Sequence, residues 1–197
     1  VVELGMHRYV TVRPADFVLP EGGVGLRIGD TPLAKEKRLR EIKLPAAQAF
    51  VRANGLDKVL LQGKGKRLGI VVAGQAARDV FEALGAIGLS PEQAADLGVS
   101  IFKAAMPWPL EPQAITRFCR GFERVLVVEH KRALVEPQLK AILYHLGDSE
   151  RPVVEGKRDR DGAPLLSDIA SLSTADIALA MLGRMPDGPH RAKADAY

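Results

Sequence analysis

LGIVVAGQAARDVFEALGAIGLSPEQAADLGVSIFKAA, residues 68–105, decides the fold. It opens on a continuous apolar run that ends in glycine, Leu68–Gly74, and closes on a second such run, Val99–Ala105. Short runs without polar alternation are the pattern of strands buried on both faces. Between them the spacing predicts a helix from about Gln75 to Leu84, ended by Gly85 or Gly88. Ser90-Pro91-Glu92-Gln93 then sets a cap residue, a first-turn proline and a Gln three residues after the Ser, the arrangement of a capping box. It opens a second short helix to Leu97, which Gly98 closes.

The same alternation continues toward the C-terminus. A helix is expected over Glu111–Phe122, with Ala114, Ile115, Phe118 and Phe122 on one face, and RVLVVEH, Arg124–His130, is a third strand. Lys131–Leu146 is helical, with Pro137 moving the start toward Val135. Pro152–Gly156 is a weaker fourth strand, and Ser173-Thr174-Ala175-Asp176 opens a last helix to Arg184. Strands and helices in alternation are the sequence form of an α/β three-layer sandwich, here over 67–186 with a mostly parallel sheet of about four to five strands.

Residues 1–66 lack this periodicity. Pro14, Pro20, Gly22, Gly23, Gly25, Gly29 and Pro32 interrupt every short apolar run, and the stretch reads as an arm that packs on a neighbouring domain. Within it VTVRPADFVLP is a short extended segment. Thr31 with Pro32 begins a helix, and Pro45 begins another that runs to Gly55. Lys64-Gly65-Lys66-Arg67 marks a hinge into the domain, and 187–197 reads as a flexible tail. The opening VVELGMHRYV, with no initiator Met, reads as the start of a piece cut from a longer chain or trimmed of a tag.

Composition narrows the function classes. A single cysteine excludes an internal disulfide and any all-cysteine metal site within the chain, and points to a reducing, cytoplasmic setting. No run approaches the roughly 20 apolar residues of a membrane helix, so no membrane contact is expected. The net charge of +4 comes from scattered side chains without interleaved aromatics, which argues against nucleic acid as a partner. His7, His130, His145 and His190 are dispersed without metal-ligand spacing.

In an open parallel sheet the loops leaving the carboxyl ends of the strands build the ligand crevice. Three such loops carry the candidate residues. Gly74, Gln75 and Arg78 follow the first strand; they lack the dinucleotide and phosphate-loop glycine patterns, so they form either a tight turn or a simple anion site at a helix N-terminus. Met106, Pro107, Trp108 and Pro109 belong to a loop that prolines make rigid, and its tryptophan serves either a docking surface or the core. Glu129, Lys131 and Arg132 follow the third strand, either as a solvated turn or as polar contacts to a neighbour. His130 has no recognisable nucleophile or metal beside it, and Cys119 reads as structural, so no catalytic constellation emerges.

LGIVVAGQAARDVFEALGAIG, LGVSIFKAAMPWPLEPQAI, RVLVVEHKRALVEPQLKAILY and VVEGKRDRDGAPLL, in that order and spacing, resemble the indolepyruvate ferredoxin oxidoreductase family. The segment ADFVLPEGGVGLRIGDTPLAKEKRLREIKLPAAQAFVRANGLDKV extends the resemblance over nearly the whole chain. It implies a much longer parent enzyme that oxidatively decarboxylates aryl 2-oxoacids with thiamine diphosphate and Mg²⁺, passes electrons through iron–sulfur clusters to ferredoxin, and delivers the acyl group to coenzyme A. The matching region there is the transketolase C-terminal-like domain, between two thiamine-binding domains. The resemblance thus implies an assembly domain with those flanking domains as partners, and no cofactor or catalytic residue in the fragment itself. The alternative is a stand-alone nucleotide or small-ligand module using the Gly74–Arg78 turn.

Overall fold

The computed structural model describes residues 10–25 and 27–186. Two compact units are distinguished, residues 1–55 and 56–197. In the second, five strands form one sheet: β1 (Lys58–Leu61), β2 (Leu68–Ala73), β3 (Val99–Ala104), β4 (Arg124–Val128) and β5 (Val153–Glu155). Their spatial order is β1-β3-β2-β4-β5, with β2 to β5 parallel and β1 antiparallel to β3. This is the α/β sandwich with a mostly parallel sheet that the alternation predicts.

The apolar runs alternate between two cores. Leu68, Ile70, Val72, Ile101, Leu126 and Val128 lie in one, under α3 (Ala76–Ala86), α4 (Pro91–Asp96) and α7 (Thr174–Leu182). Val71, Phe102, Val125 and Val127 lie in the other, under α5 (Pro112–Cys119) and α6 (Val135–Leu143). A strand with helices on both sides has no polar face to display, hence the unbroken hydrophobicity of Leu68–Ala73. Gly69 belongs to the same logic, because a Cβ there would stand 3.2 Å from the Phe122 ring and 3.3 Å from that of Phe118. Its absence lets the Phe102, Phe118 and Phe122 rings pack over β2, with centroids 5.1 and 5.2 Å apart.

Helix ends follow the caps. Ser90 and Ser173 both close capping boxes, with Gln93 and Asp176 respectively. The helix expected over Glu111–Phe122 is shorter, Pro112–Cys119, with Glu111 as its cap, and the one after Lys131 starts at Val135, as Pro137 in its first turn requires.

β1 lies in the stretch that composition assigns to the arm. It joins the sheet through β3, with a bulge between Val59 and Leu61. Lys64–Arg67 is correspondingly no hinge but a link between two strands of one sheet. The Lys64 amide donates to the Ala95 carbonyl at 2.8 Å, and the Lys66 ammonium reaches the Phe118 and Arg120 carbonyls at 3.0 and 3.1 Å, closing the end of α5.

In the first unit Thr31 caps α1 (Pro32–Arg38), its hydroxyl accepting from the Ala34 amide. No second cap precedes Pro45. Instead α1 passes into α2 (Leu44–Ala53) through a π turn, Leu39–Lys43, in which the Leu44 amide reaches the Leu39 carbonyl. The wider turn accommodates a proline that has no N–H to offer and a ring that crowds the preceding turn. Residues 10–20 carry no strand. The stretch 187–197, read as a tail, lies outside the described residues.

Candidate functional site

The parallel register places the three candidate loops at one end of the sheet. Ala73 lies beside Ala104 and Val72 beside Val128, so the chain leaves β2, β3 and β4 at the same edge. From there α3 goes to one face of the sheet and α6 to the other. The crevice between the ends of β2 and β4 is therefore the place where such sheets take ligands.

Here the protein's own residues bridge that crevice. His130, just past β4, sets Nε2 2.9 Å from Asp79 Oδ2 on α3, while its Nδ1 accepts from the Leu172 amide at 3.1 Å. An Nδ1 that accepts leaves the ring proton on Nε2, facing the carboxylate. One side chain thus ties β4 to α3 and to the segment before α7. The next residue extends the tie: the Lys131 amide donates to the Ala170 carbonyl at 3.2 Å, and both residues have positive φ, 59° and 58°. That conformation is uncommon for a residue with a side chain and persists where the surroundings over-determine it.

Glu129 is buried, and its carboxylate caps α6. Oε2 accepts from the amides of Leu134 at 2.9 Å and Val135 at 2.8 Å, and Oε1 from that of Glu136 at 3.1 Å. Three amides and the positive end of the helix dipole meet one negative charge. Glu136, also buried, takes the Lys140 ammonium at 2.6 Å and the Lys157 amide at 2.8 Å. The Lys157 ammonium bonds to the Glu129 and Ser167 carbonyls at 2.5 and 2.9 Å. Burial lowers its pKa, against the opposing pull of Glu129, Glu136 and Asp168. These acids and this lysine are linkers of the loop cluster.

Gln138, one turn into α6, joins the tryptophan loop to the same cluster. Its Nε2 donates to the Pro107 carbonyl at 2.9 Å and its Oε1 accepts from the Leu110 amide at 3.0 Å. The Trp108–Pro109 peptide is cis, and Glu111, 2% exposed, caps α5 through the Gln113 and Ala114 amides at 3.1 and 2.6 Å. The loop is held at both ends, and Trp108 stands 51% exposed on it. Asp57, ahead of β1, accepts from the Ala105 amide at 2.8 Å; burial raises its pKa, the Ala105 amide opposes this, and the charge of Glu111 adds to the rise.

The remaining candidates face outward. Gly74 makes the turn out of β2 at φ 56°, a conformation that favours glycine. The amides of Ala77, Arg78 and Asp79 donate back to the Gly74 and Gln75 carbonyls. Arg78 is exposed beside Glu82 at 3.3 Å. Lys131 and Arg132 are exposed, and among the described residues neither side chain has an ion-pair partner.

Sequence reading missed Asp79, Gln138, Glu136 and Lys157. For Asp79 a signal existed: it falls on the same face of α3 as the buried Ala76, Val80 and Ala83, where a carboxylate needs a partner. Cys119 is fully buried, and burial pushes its thiol up to about 12, with Lys66 opposing, so it is a core side chain. Among the described residues no three His, Cys, Asp or Glu side chains converge as metal ligands, and no helix is long and apolar enough to cross a membrane.

Comparison with known proteins adds a family. The model of the indolepyruvate oxidoreductase domain matches residues 58–193. Among solved structures, a split-gene transketolase in an inactive β4 tetramer is similar at 17% identity and a TM-score of 0.43, over 65% of this chain and 40% of that one. A 2-oxoglutarate:ferredoxin oxidoreductase from Magnetococcus marinus, with 2-oxoglutarate, coenzyme A and succinyl-CoA bound, is similar at 17% identity and a TM-score of 0.40, over 78% of this chain and 24% of that one. The chain thus spans well under half the length of either. No curated protein matches.

Proposed function

The chain belongs to the indolepyruvate oxidoreductase domain family, and from that premise we propose that it is an assembly domain of a larger thiamine diphosphate-dependent enzyme, one that oxidises aryl 2-oxoacids to acyl-coenzyme A with ferredoxin as electron acceptor. In this reading the catalytic groups lie on neighbouring domains, and this one supplies a rigid docking face. The observation that carries it is the His130 bridge across the switch-point crevice to Asp79 and Leu172. With the nearby carboxylates of Glu129 and Glu136 already bonded, what the edge offers outward is Trp108, Lys131 and Arg132. An exposed aromatic on a fixed loop, with exposed cations on another loop at the same end of the sheet, is the composition of an interface anchor.

In this reading the parent's thiamine diphosphate and its metal are held by the neighbouring domains. An iron–sulfur cluster needs several thiolates, whereas the one thiol here is buried and protonated.

Calorimetry of the chain with thiamine diphosphate and Mg²⁺ is expected to show no binding. In a complete enzyme carrying this domain, Trp108→Ala with Lys131→Glu is expected to lower assembly and turnover together, with the melting temperature of the isolated chain unchanged. Tight cofactor binding by the chain alone, or turnover of indolepyruvate by it, would overturn the reading.

A further inference from the structure

The first unit carries a second surface. Of the eighteen large apolar side chains that stand exposed among the described residues, nine lie in 10–55, although that stretch holds about a quarter of those residues. Three of them, Leu19, Val24 and Phe50, line a groove of about 400 Å³ together with Phe17, Ala46 and Ala47. On α2 and the turn before it, Lys43, Ala46, Ala47 and Phe50 follow the i, i+3, i+4, i+7 spacing of one helix face. Two alanines between a lysine and a phenylalanine leave a hollow that an apolar side chain from outside can enter.

The charges around this groove decide its occupant. Its lining includes two charged side chains, Arg13 and Lys43, both cations. Of the five acids described in this unit, four are paired elsewhere, Asp16 with Arg52 at 2.5 Å, Asp30 with Arg38 at 2.5 Å, Glu36 with Arg40 at 3.6 Å and Glu41 with Lys37 at 4.0 Å, and the fifth, Glu21, is exposed and does not line the groove. Among the described residues Arg13 and Lys43 have no ion-pair partner. An uncharged occupant would strip water from both cations and return nothing, whereas one bearing carboxylates offsets that cost. A membrane surface fits less well, because three of the five cations over residues 32–43 are paired with acids, Lys37 with Glu41, Arg38 with Asp30 and Arg40 with Glu36, where a membrane-bound helix carries a face of unpaired cations.

We propose that this groove docks an amphipathic, acidic segment of a partner protein: apolar anchors over Ala46 and Ala47, carboxylates on Arg13 and Lys43. The proposal concerns the first unit alone and does not depend on the reading of the sheet edge.

The test titrates the full chain into two labelled helical peptides with the same Leu and Phe anchors, one flanked by Glu and the other by Lys, and reads fluorescence anisotropy. The Glu peptide is expected to bind at least tenfold tighter at low salt, with the advantage shrinking as NaCl is added. Arg13→Glu with Lys43→Glu should reverse the preference, and Phe50→Ser should weaken both peptides. A charge-matched control on exposed side chains of the other unit, Arg120→Glu with Arg160→Glu, should leave the preference standing. Circular dichroism reports that each variant is folded. Absence of binding, equal affinity for both peptides, a preference that the control removes as fully as the groove variant does, or binding to phosphatidylserine vesicles that Phe50→Ser abolishes would each overturn the proposal.

Discussion

Glu155 shows most directly how a single buried charge is held. It is 1% exposed at the end of β5 and accepts both arms of Arg184, at 2.8 and 2.9 Å, with the Arg160 amide at 3.0 Å and Arg124 at 3.3 Å. Burial pushes its pKa up, but the Arg184 hydrogen bonds, the Arg160 amide and the arginine charges outweigh it, and the pKa lies below the ordinary carboxylate value. A depressed folded pKa gives stability that is present above the unfolded value and is lost as pH falls through the folded one. Urea unfolding should therefore weaken on the acid side of the ordinary carboxylate range. Glu155→Gln should flatten that limb and cost about 3 kcal/mol at neutral pH, because it leaves Arg184 buried without its counter-charge; an unchanged acid limb would count against this account. The next residue has the opposite requirement. A Cβ on Gly156 would stand 2.8 Å from the Glu136 carboxyl carbon, so Gly156→Ala should destabilise by about 2 kcal/mol in the same assay. In the sequence Glu155-Gly156 reads only as the end of a weak strand, since the arginines that hold the one and the carboxylate that crowds the other lie 20 or more positions away.

At the scale of elements, α6 is the part that turns separate loops into one surface. Its start is capped from β4 by Glu129, and its second turn holds the tryptophan loop through Gln138. Gln138→Ala removes the bonds to Pro107 and Leu110, and one to the Leu134 carbonyl at the start of α6, while the Glu129 cap of the helix stays in place. The chain has one tryptophan, so the effect is directly readable: acrylamide quenching of Trp108 should rise and its anisotropy fall, with a stability loss of only about 1 kcal/mol. Unaltered quenching would mean that prolines alone fix the loop. The proline pattern of Met106–Pro112 made the expectation of a rigid loop legible. The clamp was not, because a glutamine on a helix surface looks the same whether it meets water or a loop 28 residues away in the chain.

For the whole molecule the decisive boundary is the one between Gly55 and Leu56. A chain begun at Leu56 keeps β1 and the Asp57–Ala105 bond, whereas one begun at Arg67 uncovers the edge of β3. The first should unfold cooperatively. The second should lose about 2 kcal/mol and aggregate on concentration, as an uncovered sheet edge does, which denaturant titration and light scattering will report; equal stability of the two would make β1 dispensable. The sequence by itself determined the parallel core, its caps and the location of its loops, because strands buried on both faces and helices with one apolar face leave periodicities that any neighbour of the right shape will satisfy. Only the tertiary structure decided that KVLL is a strand, since four residues at an edge acquire that conformation from β3 and show no alternation of their own. It likewise decided that His130, Asp79 and Glu129 face inward while Lys131 and Arg132 face outward, because the partner that takes up a charge lies across space and leaves no mark on the local spacing.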